Sequence, residues 1–577
     1  MVQDCDRTQP GGTPTEPEVF PRPCGDAYTA PVRHLLLLGV LGAGACGDNT
    51  RPASHAVSLT RAVRTADVAG CAWASPIVTG GADPLVIVVT GEGAVVAYTP
   101  GGTVRWQTTL PSPAGQRAWI AATPALIDDH LVIAWQDAEG DRRTAHHVGV
   151  VDSATGALDP RFPIVTLAAT KPATGGGDVV FEPATQFSRA TIVVLGRRAY
   201  VSVGNIQDIQ PWHGWLFELD LDRWQTAGAS AAITSVLLTT PEQDCGPRGD
   251  SGSDDMRCGG GIWSPSGPAV VGDELWIPTG NGLLDVSRGD YANSLLRTGP
   301  GLAFDPGCDA RCASFDPIAP DPGCMESCTN LFMPRLRASD PPLAPPGGRC
   351  DGLTFLECYA KLDLDLGADS PAVVETLGKR FGVLPAKDGA IYLFDADHFG
   401  TLYDRLALRE FCGSNGGDCT ANWAGTMVTR PAIAHDGATP ILVVPTFYFD
   451  HTNPAGVVGL EIVDGGAGPA LHERWSAPAR DEPEAIERFR EHTGRAAIVD
   501  VAGAPYVVIA DPGAEHAASG VLYAIDARTG EIADRGALDG PGEKYIEPAV
   551  LGRRVFVTSC DAIASGPTHL EVWDVAP

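Results

Sequence analysis

Short apolar runs separated by turn residues recur along most of the chain. The clearest unit spans residues 74 to 107, ASPIVTGGADPLVIVVTGEGAVVAYTPGGTVRWQ, in which four such runs are joined by turns containing Gly or Pro. Runs of this length between such turns are typical of β-strands, and four in succession predict one four-stranded antiparallel sheet. The pattern therefore favours an all-β fold built from small sheets.

The same signals repeat through the rest of the chain. Further sheets are predicted to start near Pro124, Pro268, Pro371, Pro431 and Pro548. An apolar strand that ends in an acid recurs at Asp152, Asp220, Asp305, Asp395, Asp464, Asp526 and Asp574. With the first unit this makes eight modules. We expect an eight-bladed β-propeller of four-stranded antiparallel blades, with disulfide-rich loop insertions.

A ring of blades has to close, and the chain ends indicate how. Asp574 lies three residues before the C-terminus, so the last blade has no outer strand after it. The segment HAVSLTRAV, residues 55 to 63, is predicted to supply that strand. A disulfide between Cys71 and Cys560 would join the same seam, because it links the two ends of the folded region.

Composition and charge exclude several partners. The 577 residues include 68 Gly and 48 Pro, as a fold with many turns requires. Lys and Arg number 41 against 71 Asp and Glu, which gives a net charge of -30. Such a surface disfavours nucleic acid and anionic membranes, whereas a cationic protein such as an electron acceptor would be attracted.

The N-terminal region is predicted to carry an export signal. Residues 34 to 45, HLLLLGVLGAGA, are apolar and end in small residues before Cys46, and the segment resembles a bacterial lipoprotein signal. We expect residues 1 to 46 to be leader and signal peptide, with the true start at Met1 or near Val32, and residues 47 to 577 to form one propeller. Cys46 would be lipidated. The protein would be exported and held at the cell envelope by this lipid anchor alone, on the outer membrane, at its periplasmic or surface side.

Cysteine spacing predicts disulfides. Removing Cys5 and Cys24 with the leader and Cys46 as the lipidated residue leaves twelve of the 15 cysteines, an even number. Local pairs are predicted for Cys245 with Cys258, Cys350 with Cys358, and Cys412 with Cys419. The cluster Cys308, Cys312, Cys324 and Cys328, within an insertion at 306 to 358, indicates two parallel disulfides, with zinc as the alternative.

Three segments resemble the quinoprotein alcohol dehydrogenase-like β-propeller family, which binds pyrroloquinoline quinone (PQQ). VLYAIDARTGE, residues 521 to 531, is similar to the repeat that docks neighbouring blades in that family. Residues 259 to 282 and 363 to 397 resemble two successive blades, most closely in the polyvinyl-alcohol dehydrogenase branch. The resemblance implies PQQ and Ca²⁺ as cofactors and hydride transfer from an alcohol or polyol to the quinone.

The resemblance assigns roles to individual residues. Trp263 would stack on the quinone, Asn281 would ligate Ca²⁺, and Lys387 would lie near the quinone oxygens. Asp365 would be the catalytic base and a metal ligand, with Asp363 as the alternative register. Each also has a plain structural interpretation: a packing tryptophan, a turn asparagine, a solvated acid and a Lys-Asp-Gly hairpin.

The chain also departs from the family pattern. The expected glutamate ligand of Ca²⁺ has no clear match, and Asp208 is only a possible substitute. No CxxCH motif is present, so no c-type haem is predicted and a separate electron acceptor would be required. Two functions therefore remain open from the sequence: a PQQ- and Ca²⁺-dependent alcohol dehydrogenase, or a non-catalytic envelope propeller that acts as a binding or scaffolding module.

Overall fold

The fold is a ring of eight antiparallel β-sheets. A computed structural model describes residues 57–140, 142–205, 212–243, 245, 258–340, 353–361, 364–408, 429–446, 456–477, 489, 493–511, 519–562 and 565–577. Within these residues each sheet has four main strands that follow one another in the chain, except in the last blade. The predicted eight-bladed β-propeller is confirmed.

The strands are numbered along the chain and grouped into blades I to VIII. Blade I follows β1 (Ser58–Arg64) and contains β2 (Ile77–Val78), β3 (Val86–Val89), β4 (Ala94–Tyr98) and β5 (Val104–Thr109). Blade II contains β6 (Arg117–Trp119), β7 (Ala125–Ile127), β8 (His130–Glu139), β9 (Arg142–Asp152) and β10 (Val165–Thr166), and it is followed by a separate hairpin of β11 (Thr170–Pro172) and β12 (Asp178–Val180). Blade III contains β13 (Gln186–Phe187), β14 (Val193–Leu195), β15 (Arg198–Asn205), β16 (Trp215–Asp220) and β17 (Ile233–Leu238), and blade IV contains β18 (Ala269–Val271), β19 (Glu274–Pro278), β20 (Leu295–Thr298) and β21 (Leu331–Phe332).

Blades V to VIII are more regular. Blade V contains β22 (Ala372–Thr376), β23 (Lys379–Pro385), β24 (Ala390–Asp395) and β25 (Leu402–Ala407), and blade VI contains β26 (Ala432–Asp436), β27 (Thr439–Thr446), β28 (Gly456–Asp464) and β29 (Pro469–Ala477). Blade VII contains β30 (Ala496–Val501), β31 (Ala504–Asp511), β32 (Val521–Asp526) and β33 (Ile532–Ala537). Blade VIII contains β34 (Ala549–Leu551), β35 (Arg554–Ala562) and β36 (Ser565–Ala576).

Helices are short and lie between strands. The described ones are α1 (Leu221–Ala227), α2 (Ala229–Ala232), α3 (Pro322–Ser327) and α4 (Phe355–Lys361), with 3₁₀ turns at Pro183–Thr185, Ala310–Ser314 and Leu366–Ala368. None of the described helices has the length and apolar character needed to span a bilayer.

The middle strands of each blade are buried on both faces, which explains their unbroken apolar sequences. All residues of β3 and β4 are buried, whereas the outer strand β5 alternates between exposed and half-buried positions. Neighbouring blades share one apolar core; for example, Val86 and Val88 of blade I pack in one cluster with Phe556 and Val572 of blade VIII. Because each blade covers its neighbour, the ring is stable only when closed.

Closure occurs as predicted. Strand β1 pairs antiparallel with β36, with Ser58 opposite Ala576, so the N-terminal strand completes blade VIII. The Cys71–Cys560 disulfide is present at the same seam. It spans a sequence separation of 489 residues and therefore strongly limits the unfolded chain.

Tryptophans on outer strands dock onto the turn of the following blade. Trp106 of blade I donates its Nε1–H to the Ser153 carbonyl at 2.9 Å, and Trp475 of blade VI donates in the same way to the Ala527 carbonyl at 2.9 Å. A Cβ at Gly530 would lie 2.6 Å from the Trp475 ring, so only glycine fits under it. Residues 521 to 531, predicted to be a docking repeat, thus have that role.

The disulfide predictions are confirmed wherever both cysteines are described. Cys245 bonds to Cys258, and the four-cysteine cluster forms two disulfides rather than a zinc site, Cys308–Cys328 and Cys312–Cys324. Cys358 is also disulfide-bonded. Its predicted partner Cys350, the Cys412–Cys419 pair and Cys46 lie outside the described residues.

One strand prediction is wrong. An apolar strand was expected to end near Asp305, but β20 ends at Thr298 and residues 299 to 305 form a loop. A Thr-Gly-Pro-Gly segment interrupts the chain there, and Leu302 adopts a φ of 51°. Apolar Leu302 and Phe304 pack against the core without joining the sheet, so hydrophobicity alone misplaced the strand.

Candidate functional site

The predicted site residues lie on loops that meet at one face of the ring. Trp263 and Asp365 precede the first strands of blades IV and V, while Asn281 and Lys387 lie between the second and third strands of the same blades. Because strands alternate in direction, these two kinds of loop emerge at the same end of every sheet. We call this end the upper face and the four residues the upper-face site.

Asp365 and Lys387 form a buried ion pair at the centre of this site. The Lys387 ammonium donates to Asp365 Oδ2 at 3.1 Å, and the two side chains are only 6% and 8% exposed. The backbone N–H of Asn281 donates to Asp365 Oδ1 at 2.5 Å. Lys387 Nζ also lies 5.9 Å from the centroid of the Trp263 ring, within cation–π range. The structure therefore brings all four residues together.

The backbone at this site is strained. Asp365 has a φ of 35°, and Asn293 and Tyr545 nearby have φ values of 47° and 75°. Asn293 Oδ1 accepts a hydrogen bond from the Leu366 N–H at 3.3 Å, which holds the turn after Asp365. Non-glycine residues in left-handed conformations persist where their surroundings impose them, and they concentrate at functional sites.

Glycines allow the parts of the site to approach each other. A Cβ at Gly280 would lie 2.6 Å from Asp365 Oδ1 and 3.0 Å from Trp263 Cδ1. A Cβ at Gly204 would lie 2.8 Å from the Trp263 Cβ. The half-buried Trp263 thus lies against strand β15 of blade III and the Gly280 turn of blade IV, and it packs against Ala368 and Tyr545.

The described oxygen donors do not form a calcium site. Asn281 Oδ1 accepts hydrogen bonds from the Gly282 N–H at 2.9 Å and from Asn293 Nδ2 at 3.3 Å, and both Asp365 oxygens are already paired. Within the described ranges, Asp365 belongs to no group of three His, Cys, Asp or Glu side chains that could share one metal ion. Asp208 and Asp363 lie outside those ranges. Ca²⁺ requires about six to eight oxygen ligands.

A second carboxyl group was missed by the sequence analysis. Asp369 is fully buried, and its pKa is raised well above the ordinary value because burial disfavours the charge. The Thr429 N–H donates to its Oδ1, whereas its Oδ2 has no hydrogen-bond partner among the described residues. Asp369 lies next to Ser370 at the start of blade V, and no sequence motif at this position indicated a buried carboxyl group.

The predicted Lys-Asp-Gly hairpin is also confirmed as a structural element. Asp388 accepts from the Ala390 N–H at 3.0 Å, from the Tyr392 hydroxyl at 2.6 Å and from Arg405 Nη2 at 2.8 Å. This buried network holds the turn that carries Lys387. The lysine is therefore presented by a rigid hairpin, which suits a side chain that has to keep one orientation.

Aromatic and arginine side chains continue from Trp263 across the upper face. Trp119 and Trp73 lie 5.2 Å apart between ring centroids, the Arg189 guanidinium lies 6.0 Å from the Trp73 ring and 4.8 Å from the Tyr545 ring, and Tyr545 packs with Trp263. We call these residues the aromatic–arginine row. Its members lie on loops and on the short strand β6, in or next to blades I, II, III and VIII.

Eight closed blades define an eight-bladed β-propeller, and this fold is similar to that of quinoprotein alcohol dehydrogenases. A quinohemoprotein alcohol dehydrogenase from Comamonas testosteroni matches with a TM-score of 0.52 and 12% identity, over 89% of this chain and 76% of that one. A quinohemoprotein alcohol dehydrogenase from Pseudomonas putida HK5 matches with a TM-score of 0.53 and 11% identity, over 89% and 76%. A europium-containing methanol dehydrogenase matches with a TM-score of 0.50 and 12% identity, over 89% and 93%.

At such low sequence identities, these structural matches show a shared fold only. The activity therefore has to be argued from the site. A scan against protein-family models finds no match, and a search of curated proteins finds none. The predicted resemblance to quinoprotein propellers is confirmed at the level of architecture.

Proposed function

We propose that the protein is a quinone-dependent oxidoreductase that acts on an alcohol or polyol. The observation that carries this proposal is the buried Asp365–Lys387 pair beside Trp263, on loops of two adjacent blades. Its support from comparison is the fold that the chain shares with quinohemoprotein alcohol dehydrogenases.

Each residue has a defined task in this proposal. The Trp263 ring offers a flat aromatic surface for a planar cofactor. An Asp365 carboxylate oxygen accepts the hydroxyl proton of the alcohol, and Lys387 fixes that carboxylate and places a cation where negative charge develops. Bound PQQ supplies the hydride acceptor. No step is assigned to Ca²⁺, because the described donors do not form its site.

The electrons have to leave to a separate protein. The net charge of -30 favours a cationic acceptor, whose association would slow as ionic strength rises. This dependence is measurable in the same dye-coupled assay once a candidate acceptor replaces the dye.

The test is reconstitution of the purified protein with PQQ, with and without Ca²⁺, followed by absorption spectroscopy and dye reduction with a panel of alcohols. Asp365→Asn should retain the quinone but lower kcat by about a hundredfold or more. Trp263→Leu should weaken quinone binding. The matched control Asp397→Asn removes an acid that also pairs with a cation, Arg380, but on the surface, and should leave activity unchanged.

A non-catalytic binding role is the second candidate, and one observation favours it. The side-chain oxygens of Asp365 and Asn281 are satisfied by neighbouring protein groups. A site built only to hold loops together would look the same. This candidate is supported if no quinone binds, and it is excluded if quinone binds and Asp365→Asn abolishes turnover.

We further propose that the protein is exported and lipid-anchored through Cys46 at the cell envelope. The four described disulfides support an oxidising compartment. Mass spectrometry of the mature N-terminus should find an acylated Cys46, and Cys46→Ser should move the protein from the membrane fraction to the soluble fraction. An unmodified N-terminus would contradict the proposal.

A further inference from the structure

An axial cavity of about 630 Å³ lies along the start of the first strands of the blades. Its wall includes the side chains that precede those strands, among them Ser75, Ser266, Arg430, Arg495 and Glu547. Ser266 follows Trp263 by three positions and Glu547 follows Tyr545 by two, so the pocket lies where loops of the upper face pass into the first strands. The cavity has the size of an ordinary small-molecule site.

Two arginines give this axial pocket a positive character. Arg495 donates to the Tyr545 carbonyl at 2.8 Å, to Ser266 Oγ at 3.3 Å and to Ser75 Oγ, and its Nη1 lies 3.3 Å from Glu547 Oε2. Burial lowers the pKa of Arg495. All of these partners except Glu547 are neutral, so the guanidinium is held rigidly but only partly neutralised.

The hydrogen-bond partners of the Arg430 guanidinium are all neutral, and its Nε donates to Ser370 Oγ at 3.3 Å. Its Nη2 donates to the carbonyls of Ser266, Gly267 and Pro268 at 3.2, 3.4 and 3.2 Å, and to Ser370 Oγ at 3.1 Å. Burial lowers the pKa of Arg430 to about 10, and the charge of Arg495 contributes, yet the group remains charged at neutral pH.

The charges do not balance within the pocket. Glu547 is the acid that acts on both guanidiniums, and its side chain is 45% exposed. Among the described residues that line the pocket, two cations face one carboxylate, which leaves a local charge of about +1 in a protein whose net charge is -30. A buried cation without a partner is unfavourable, so a single negative charge is what the pocket lacks.

Part of the remaining wall is apolar, beside the polar side chains of Ser75, Thr123, Thr191 and Ser266. The apolar part is formed by side chains such as Ile77, Val78, Ala432, Ile498 and Val550 on the first strands. From this combination we propose that the axial pocket binds an amphipathic monocarboxylate, with its carboxylate on Arg430 and Arg495 and its apolar body along the first strands. This proposal uses residues other than the four of the upper-face site, and it does not depend on the quinone role of that site.

The experiment is calorimetric titration of the full chain, without added quinone, with four probes. Octanoate should bind about tenfold or more tightly than octanamide, which has the same body without the charge, and more tightly than acetate, which has the charge without the body. Inorganic phosphate should bind weakly. Equal binding of octanamide would indicate a plain apolar cavity, and equal binding of phosphate or acetate would indicate a simple anion site; either result overturns the proposal.

Variants locate the site. Arg430→Gln should weaken octanoate binding about tenfold or more. Arg554→Gln, which alters a surface arginine paired with Asp574, should not. Glu547→Gln removes the competing acid and should tighten octanoate binding several-fold, which keeps the test decisive even if Arg430→Gln folds poorly.

The last arm separates this pocket from the proposed cofactor site. PQQ should not displace octanoate, and saturating octanoate should leave the absorption spectrum of bound quinone unchanged. If PQQ competes with octanoate, or if Glu547→Gln does not tighten its binding, the proposal is wrong. Failure of quinone binding alone, with octanoate still bound, would overturn only the oxidoreductase proposal.

Discussion

Replacement of Lys387 by Met tests whether the ion pair at the upper-face site is an interior interaction. The Lys387–Asp365 side chains are 6% and 8% exposed with an N–O distance of 3.1 Å. Removing one member of a buried pair leaves the other charge without a partner, and the usual loss is about 3–5 kcal/mol. We therefore expect Lys387→Met to lose that amount of unfolding free energy.

The chain offers a control with the same geometry and a different environment. Arg380 and Asp397 form an ion pair with an N–O distance of 3.0 Å, but their side chains are 43% and 68% exposed. Solvent screens such a pair, so Arg380→Met should cost no more than about 1 kcal/mol. The contrast between the two variants isolates burial, because the pairs have nearly equal N–O distances.

The assay is urea unfolding followed by tryptophan fluorescence, with the variants compared at equal slope. A double variant, Lys387→Met with Asp365→Asn, completes the cycle and should lose about 2–3 kcal/mol less than the sum of the single variants. If Lys387→Met costs no more than Arg380→Met, or if the single losses simply add, the pair is not a coupled buried interaction and the argument for a fixed Asp365 fails.

Three further outcomes follow from the fold. Replacing both Cys71 and Cys560 by Ser should remove up to about 5 kcal/mol of stability, because their disulfide closes most of the chain, and unchanged thermal unfolding would contradict this. Burial lowers the pKa of His146 from 6.5 to about 4. The folded protein then binds fewer protons than the unfolded chain between pH 4 and 6.5, so stability should fall by about 3 kcal/mol as the pH falls through that window, and His146→Gln should flatten the urea midpoint profile. Gly280→Ala places a Cβ 2.6 Å from Asp365 Oδ1 and should cost about 1–3 kcal/mol and lower any dye reduction; retention of both stability and activity would show that the turn relaxes freely.

The sequence predicted the architecture because the propeller is a repeat. Each blade carries its own strand and turn signals, so eight similar modules could be counted without knowing any long-range contact. Closure by residues near 58 and the Cys71–Cys560 bond followed from counting strands and cysteines at the two chain ends. The misplaced strand before Asp305 shows the limit of this method, because an apolar run can pack against the core from a loop.

The candidate site was only partly predictable. Resemblance to quinoprotein segments selected Trp263, Asn281, Asp365 and Lys387, and the repeat topology places such loops on one face. The sequence could not reveal that the Asn281 N–H donates to the Asp365 carboxylate, 84 positions away. Nor could it reveal that Asn281 Oδ1 already accepts hydrogen bonds from Gly282 and Asn293. The direction in which a side chain points depends on contacts between blades. Such contacts join residues far apart in the chain, so a local sequence pattern does not predict them.

What the sequence determined by itself was the all-β class, the number of blades, their closure and the residues that could carry chemistry. These features depend on local periodicity and on the count of repeated units. The tertiary structure decided which charges are buried together, because burial and ion pairing depend on distances between blades. It therefore decided that Asp365 is paired with Lys387, and that Arg430 and Arg495 share an axial pocket with a single acid.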